Sequence, residues 1–288
     1  MLYFNLKAMR TILIINDNSA EAKHAAELAL ALAQKTQADI LLMNTSAKTK
    51  KISEKVTVGD IVKAYPDSSR KEHAVSEMLH HLKSINDRQT TYKPEIEEFD
   101  IPGTDENEVV EFINRNHTWM MVKGMANELT ISNAKNLNIH NVLNRVLCPL
   151  LLVPQQWQLK DIERLVYIAD LRYCRIQIVR YLAEIAKPWQ AALSIAHMSA
   201  KGLPDMAEKY ALTVFSEEVS QNVNYDALFF NNIKEKDLGK VVDVLINGMH
   251  NDILVMVNHR FHFEEIVGRY ITDTLPLHIT IPLLIFPY

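Results

Sequence analysis

Two stretches of this chain follow one plan. "RTILIINDNSAEAKHAAELALALAQKTQADILLMNTS" starts at Arg10, and "RLVYIADLRYCRIQIVRYLAEIAKPWQAALSIAHMS" starts at Arg164. Each opens with an apolar β-branched run, meets an aspartate (Asp17, Asp170), passes through a helical pattern and ends in a second apolar run. Asp17 to Ala38 and Asp170 to Ala191 are equally far apart. Further on, "CPLLLVP" (148–154) is answered by "IPLLIFP" (281–287). A polar stretch, 45–68, accounts for the greater length of the first copy. The 288 residues therefore divide into two versions of one domain, 1–154 with an insertion at 45–68, and 155–288, joined by the polar "PQQWQLKDIE" at 154–163.

Within each copy strands and helices alternate. The expected strands are 10–16, 39–44, 94–100, 118–123 and 149–153, then 164–169, 191–197, 225–230, 252–257 and 282–286. The expected helices are 19–36, 69–87, 105–116 and 133–146, then 171–187, 204–221, 236–249 and 262–275. Ala22, Ala26, Ala29 and Ala33 recur at helical spacing behind Ser19, a natural N-cap. The strands are near-continuous apolar runs, which suits parallel strands covered on both faces. This alternation specifies α/β domains that are doubly wound, with helices on both sheet faces and ligands at the strand carboxyl ends.

Composition narrows the function. A formal net charge of -4 gives no electrostatic reason for a nucleic-acid partner. No apolar segment approaches the roughly 20 residues of a membrane span, and "MLYFNLKAMR" is too short an apolar run for a signal peptide. Cys148 and Cys174 stand apart in apolar contexts and read as buried thiols of a reducing compartment. A cytoplasmic protein is expected. The 11 histidines form no metal-ligand spacing and there is no Gly-x-Ser-x-Gly elbow, so neither a catalytic nor a metal site is assigned. The seven glycines are scattered and make no GxGxxG or Walker loop. A phosphoacceptor receiver is disfavoured, because the fifth strand ends in Val153-Pro154 with no lysine after it.

"ILIINDNSAEAKHAAELALALAQKTQADILLMNT", "EEFDIPGTDENEVVEFINRNHTWMMVKG" and "NVLNRVLCPLLLVP" together resemble the universal stress protein (UspA-like) family. The resemblance extends over nearly the whole chain as two tandem domains, the second degenerate. It implies, for each domain, a five-stranded parallel sheet of order 3-2-1-4-5 and an adenine nucleotide alpha hydrolase-like fold. It also implies that the two domains pair through their last strands. ATP-binding members carry a glycine, two residues, a glycine, nine residues and Gly-Ser or Gly-Thr after the fourth strand. Here Gly124 matches the first glycine, but Asn127 stands at the second, and Asn136-Leu137 replace the Gly-Ser pair. Thr130 and Ser132 carry hydroxyls off position, and Lys123 adds a nearby charge. In the second copy Asn258, His259, Arg260 and Phe261 follow the fourth strand, with Gly268 near the later position. His259, Arg260 and His262 offer a side-chain route to phosphate.

The resemblance thus implies a nucleotide cleft of Asp17, Asn44, Gly124, Asn127, Asn136 and Asp170, the two aspartates at the adenine or ribose end. Each aspartate also suits a helix cap. The expected function is a non-catalytic stress-response or regulatory binding module whose phosphate end is degraded and which needs no cofactor. The alternative is ATP or AMP binding with slow hydrolysis, mainly in the first domain. A homo-oligomer and a protein partner at the 45–68 insertion are compatible with the sequence, which names neither.

Overall fold

The computed structural model describes residues 10–45, 76–87, 92–100, 106–126, 137–260, 262–272 and 274–288. The first half runs β1 (Arg10–Asn16), α1 (Ala20–Thr36), β2 (Ala38–Asn44), α2 (Glu77–Asn86), β3 (Ile96–Asp100), α3 (Glu106–Arg115), β4 (Met120–Met125), α4 (Ile139–Leu143) and β5 (Leu150–Pro154). The second runs β6 (Arg164–Ala169), α5 (Ile176–Ala186), β7 (Ala192–His197), α6 (Glu208–Val214), β8 (Leu228–Asn232), α7 (Leu238–Asp243), β9 (Ile253–Val257), α8 (Phe263–Ile266) and β10 (Leu283–Phe286). All ten strands lie in one sheet, ordered β3-β2-β1-β4-β5-β10-β9-β6-β7-β8. Each half is parallel with order 3-2-1-4-5, and the halves join where β5 meets β10 antiparallel. The strand carboxyl ends of the two halves therefore open at opposite edges of the sheet.

The local chemistry explains these elements. Ile12, Leu13 and Ile14 have no exposed surface, because helices cover both faces of β1. Ser19 Oγ accepts the Ala22 N–H at 3.0 Å and starts α1. Ala25, Ala26, Ala29 and Ala33 are fully buried, so α1 lies close on the sheet. Gln37, at φ 56, ends it in the left-handed conformation. At the seam Leu283, Leu284 and Ile285 pair with Leu152, Leu151 and Leu150, all at most 1% exposed. Each such side chain contributes about 1.5–3 kcal/mol by leaving water. Tyr181 Oη donates to the Trp119 carbonyl at 2.8 Å and Arg10 pairs with Glu184 at 2.5 Å, adding polar ties between the halves.

Several expected helices are shorter, and the backbone shows why. One of them is the helix expected over 262–275. Helix α8 stops at Ile266, because Gly268 takes φ +110, which no helix continues through. The helix expected over 171–187 begins as a separate 3₁₀ turn, Leu171–Tyr173, and α5 restarts after extended residues Cys174 and Arg175. The patterns over 204–221 and 236–249 pass from α6 and α7 into wider turns at Phe215–Val219 and Val244–Gly248. The strand expected over 225–230 lies further on, at Leu228–Asn232. Of the expected 69–87 and 133–146 helices, residues 69–75 and 133–136 lie outside the described residues, as does the 45–68 insertion beyond Thr45.

Candidate functional site

At the carboxyl ends of β1, β2 and β3 a polar ladder crosses the sheet. Asn16, Asn44 and Asp100 are register neighbours. The Asn16 amide donates to Asn44 Oδ1 at 2.7 Å. Asn44 Nδ2 donates to Glu98 Oε1 at 2.6 Å and Asp100 Oδ1 at 2.8 Å. Asn16 is fully buried and Asn44 nearly so. Burial pushes the Glu98 carboxyl up, but hydrogen bonds from Asn44 and Ser76 outweigh it and hold the group below its ordinary value. Asp17 stands outside the ladder, exposed. Its Oδ1 accepts the Ser19 N–H at 3.0 Å, closing a turn in which Asn18 adopts φ 63. Ser19, not Asp17, caps α1. Asn16 and Glu98 were not singled out in the sequence. For Asn16 the available signal was a polar residue at the last position of an otherwise apolar strand; Glu98, in the middle of the acidic IEEFD strand, carried no such signal.

Gly124 lies within β4, paired with Val153. A Cβ there would stand 2.1 Å from the Glu21 carbonyl oxygen and 2.7 Å from the Ala22 nitrogen. The missing side chain lets the first turn of α1 touch the strand backbone. Lys123 beside it is buried, 9% exposed. Asn127 and Asn136 lie outside the described residues, as do Thr130 and Ser132. Leu137, at the family's hydroxyl position, is a core residue, 5% exposed.

The second half is built differently at the same level. The register series Asn16–Asn44–Asp100 becomes Ala169–His197–Asn232. Asp170 is fully buried. Its Oδ1 accepts from Arg172 Nε at 2.9 Å and the Arg172 N–H at 3.1 Å. Its Oδ2 accepts from Arg172 Nη2 at 2.6 Å and the Ala200 N–H at 2.8 Å. Burial raises this carboxyl, yet the Arg172 and Ala200 hydrogen bonds and the guanidinium charge hold it below its ordinary value. Both oxygens are thus engaged by the chain itself. His197 beneath accepts the Leu171 N–H at 3.2 Å, and burial lowers its pKa despite the Asp170 charge.

The loop after β9 turns its side chains toward other parts of the chain. Asn258 Nδ2 donates to Asn144 Oδ1 at 2.7 Å, and His259 meets the same oxygen at 3.3 Å. Arg260 lies over the Tyr288 ring at 4.2 Å. His262 Nε2 faces the Ser199 carbonyl at 3.1 Å. His259, Arg260 and His262 therefore contact three different elements. Asp17, Asn44 and Gly124 share one strand-end region, while Asp170 belongs to the opposite edge. Burial pushes the Cys148 and Cys174 thiols up to about 12, which keeps them protonated and poorly nucleophilic. Among the described residues no group of three or more His, Cys, Asp or Glu is placed to hold a metal ion. Among them, too, no helix is long and apolar enough to cross a membrane.

The solved structure of a universal stress protein from Archaeoglobus fulgidus DSM 4304 superposes with a TM-score of 0.61 at 14% identity, covering 96% of this chain and 98% of that one. A functionally unknown protein from Pseudomonas aeruginosa PAO1 aligns with a TM-score of 0.50 at 12% identity, covering 97% of this chain and 93% of that one. At these identities the likeness concerns the fold. No curated protein matches the chain. Residues 9–154 match the family model of the universal stress proteins. The match takes in β1 to β5 and every element that builds the Asn16–Asn44–Asp100 ladder; the chain belongs to the universal stress protein family.

Proposed function

We propose that this chain is a tandem universal stress protein, with domains at 1–154 and 155–288, that acts as a non-catalytic regulatory binding module of the cytoplasmic stress response. The observation that carries this reading is Gly124. The one glycine retained from the phosphate motif has a steric duty to α1, with its Cβ position 2.1 Å from the Glu21 oxygen. Its presence thus needs no phosphate to explain it. In the second domain Asp170 already has four hydrogen bonds from Arg172 and Ala200. A ribose hydroxyl there would have to displace them. The two domains act as one unit through the β5–β10 pairing.

A second reading, ATP or AMP bound in the first domain with slow hydrolysis, draws on Asp17, which is exposed just past the carboxyl end of β1. The nucleotide content of the purified chain separates the two. Acid extracts resolved by anion exchange should contain no stoichiometric adenine nucleotide. One ATP or AMP per chain would establish the second reading.

A further inference from the structure

A cleft of about 630 Å³ opens where the two halves meet. Its wall is built from the residues just before β4 and β5, the carboxyl end of β10 and the first turn of α5. This is the end of the first half away from the Asn16–Asn44–Asp100 ladder. Arg172 and Ala200, which hold the Asp170 carboxylate, are not in the wall. The volume lies within the roughly 300–1,000 Å³ typical of small-molecule sites.

The floor is apolar. Ile113, Val146, Ile178 and Phe286 line the cleft and are at most 7% exposed. Trp119 and Tyr181 stack at 4.8 Å, and Phe286 meets Tyr181 edge-on at 5.2 Å. The rings therefore pack on one another and leave an uneven surface rather than a slot for a flat ring. At the rim Leu147 is 91% exposed, a large aliphatic side chain left almost wholly in water. An alkyl chain laid along this surface would remove apolar area from water on both sides.

The charge in the wall has one sign. No aspartate or glutamate lines the cleft, and its one arginine or lysine is Arg175. The Arg175 guanidinium makes a long hydrogen bond, Nη1 to the Pro287 carbonyl at 3.5 Å, and lies over the Tyr288 ring at 5.7 Å. Neither contact is to a carboxylate, and a guanidinium has five N–H donors to place. Arg175 also stands at the N-terminus of α5, whose first turn holds no acidic residue, so the helix dipole adds to its charge. A cation would be repelled here. A nucleotide would bring more negative charge than one arginine can meet. A single carboxylate on an apolar body matches both the floor and the arginine.

We propose that this cleft binds a medium-chain fatty acid. Its alkyl chain lies over Ile113, Val146 and Ile178, and its carboxylate is taken by the Arg175 guanidinium.

The test is calorimetric titration of the full chain with decanoate, with decylammonium and AMP as counter-probes. Decanoate should bind one-to-one with a sub-millimolar Kd. Decylammonium, the same chain with the opposite charge, should bind at least about tenfold more weakly. Arg175→Gln should weaken decanoate binding about tenfold. Gln177→Glu places a competing carboxylate in the wall and should weaken it by a similar factor, about tenfold. Gln177 is exposed, and an acid in the first turn of a helix favours it, so this variant tests the site without risk to folding. Four results would overturn the proposal. One is no saturable heat from decanoate at about 1 mM. Another is decanoate binding indifferent to both variants, or matched by decylammonium, which would reduce the cleft to a greasy patch. The third is AMP binding, in place of decanoate binding, that is lost in the same variants. The last is a dimer, seen in sedimentation equilibrium, that decanoate leaves intact and Leu147→Asp disperses, which would give the cleft to a second copy of the chain.

Discussion

Gly124 and Glu21 meet backbone to backbone: a Cβ on the glycine would lie 2.1 Å from the glutamate's carbonyl oxygen. No rotamer relieves such a clash, because both partners are main chain held in β4 and in the first turn of α1. Gly124→Ala should therefore destabilise the fold by about 1–3 kcal/mol or more through overpacking. Equilibrium denaturation in urea measures it. An unchanged midpoint would mean that the glycine does not fix the α1–β4 approach.

Asp170 and Arg172 form a charged contact of 2.6 Å at the carboxyl ends of the second half's strands. Arg172→Met would strip Asp170 of two of its donors and leave a buried carboxylate on backbone N–H groups alone. The guanidinium is partly exposed, 26%, so the loss should be about 2–3 kcal/mol, below that of a fully buried pair. Asp170 titrates below its ordinary value of 3.8 in the folded chain. Its contribution is therefore complete above that value and is lost as pH falls toward the folded pKa. In Asp170→Asn, stability measured by denaturation below about pH 4 should fall less steeply with acid than in the parent chain. Identical acid limbs would contradict this.

Two buried imidazoles act at milder pH. His197 and His140 both titrate below 6.5, chiefly through burial, with the neighbouring His259 charge adding to the effect at His140. Below 6.5 the unfolded chain takes up protons that these rings resist, so stability should fall as pH drops from 6.5 toward their folded values. Thermal unfolding between pH 7.5 and about 5 tests the sign. Replacing His140 with Gln should flatten the profile, and a profile as steep as the parent's would remove His140 from the account.

Leu284 sits across from Leu151 on the antiparallel seam, and both are at most 1% exposed. Leu284→Ala should cost about 2–5 kcal/mol. Because the seam joins the two halves of one sheet, the cost should be felt in both halves. Single-tryptophan variants retaining Trp119 or Trp189 should report one common transition that shifts together. Separate transitions, with only the Trp189 signal moving, would show that the halves unfold independently.

The sheet was readable because its information is local. A strand such as Arg10–Asn16 is written as a run of apolar residues, and the repeat of the Asp17 and Asp170 patterns supplied the second half. Helix lengths were less legible where a single backbone geometry overrides a good apolar pattern. At 262–275 the apolar spacing continues past Gly268, but its positive φ ends the helix. At Asp170 the aspartate position was evident, while its capture by Arg172, two residues on, depends on a 3₁₀ turn that periodicity does not encode. Gly124 was marked for its place in a motif. Its contact with Glu21 joins two segments a hundred residues apart, and only the packed fold displays it.

On the reading proposed above, the phosphate end of the family's nucleotide cleft no longer holds a phosphate. Calorimetric titration of the full chain with ATP and magnesium tests it most directly. No saturable heat with a Kd below about 1 mM is expected. Saturable one-to-one binding at about 1 μM, abolished by Asp17→Ala, would contradict it and place a working nucleotide site in the first domain.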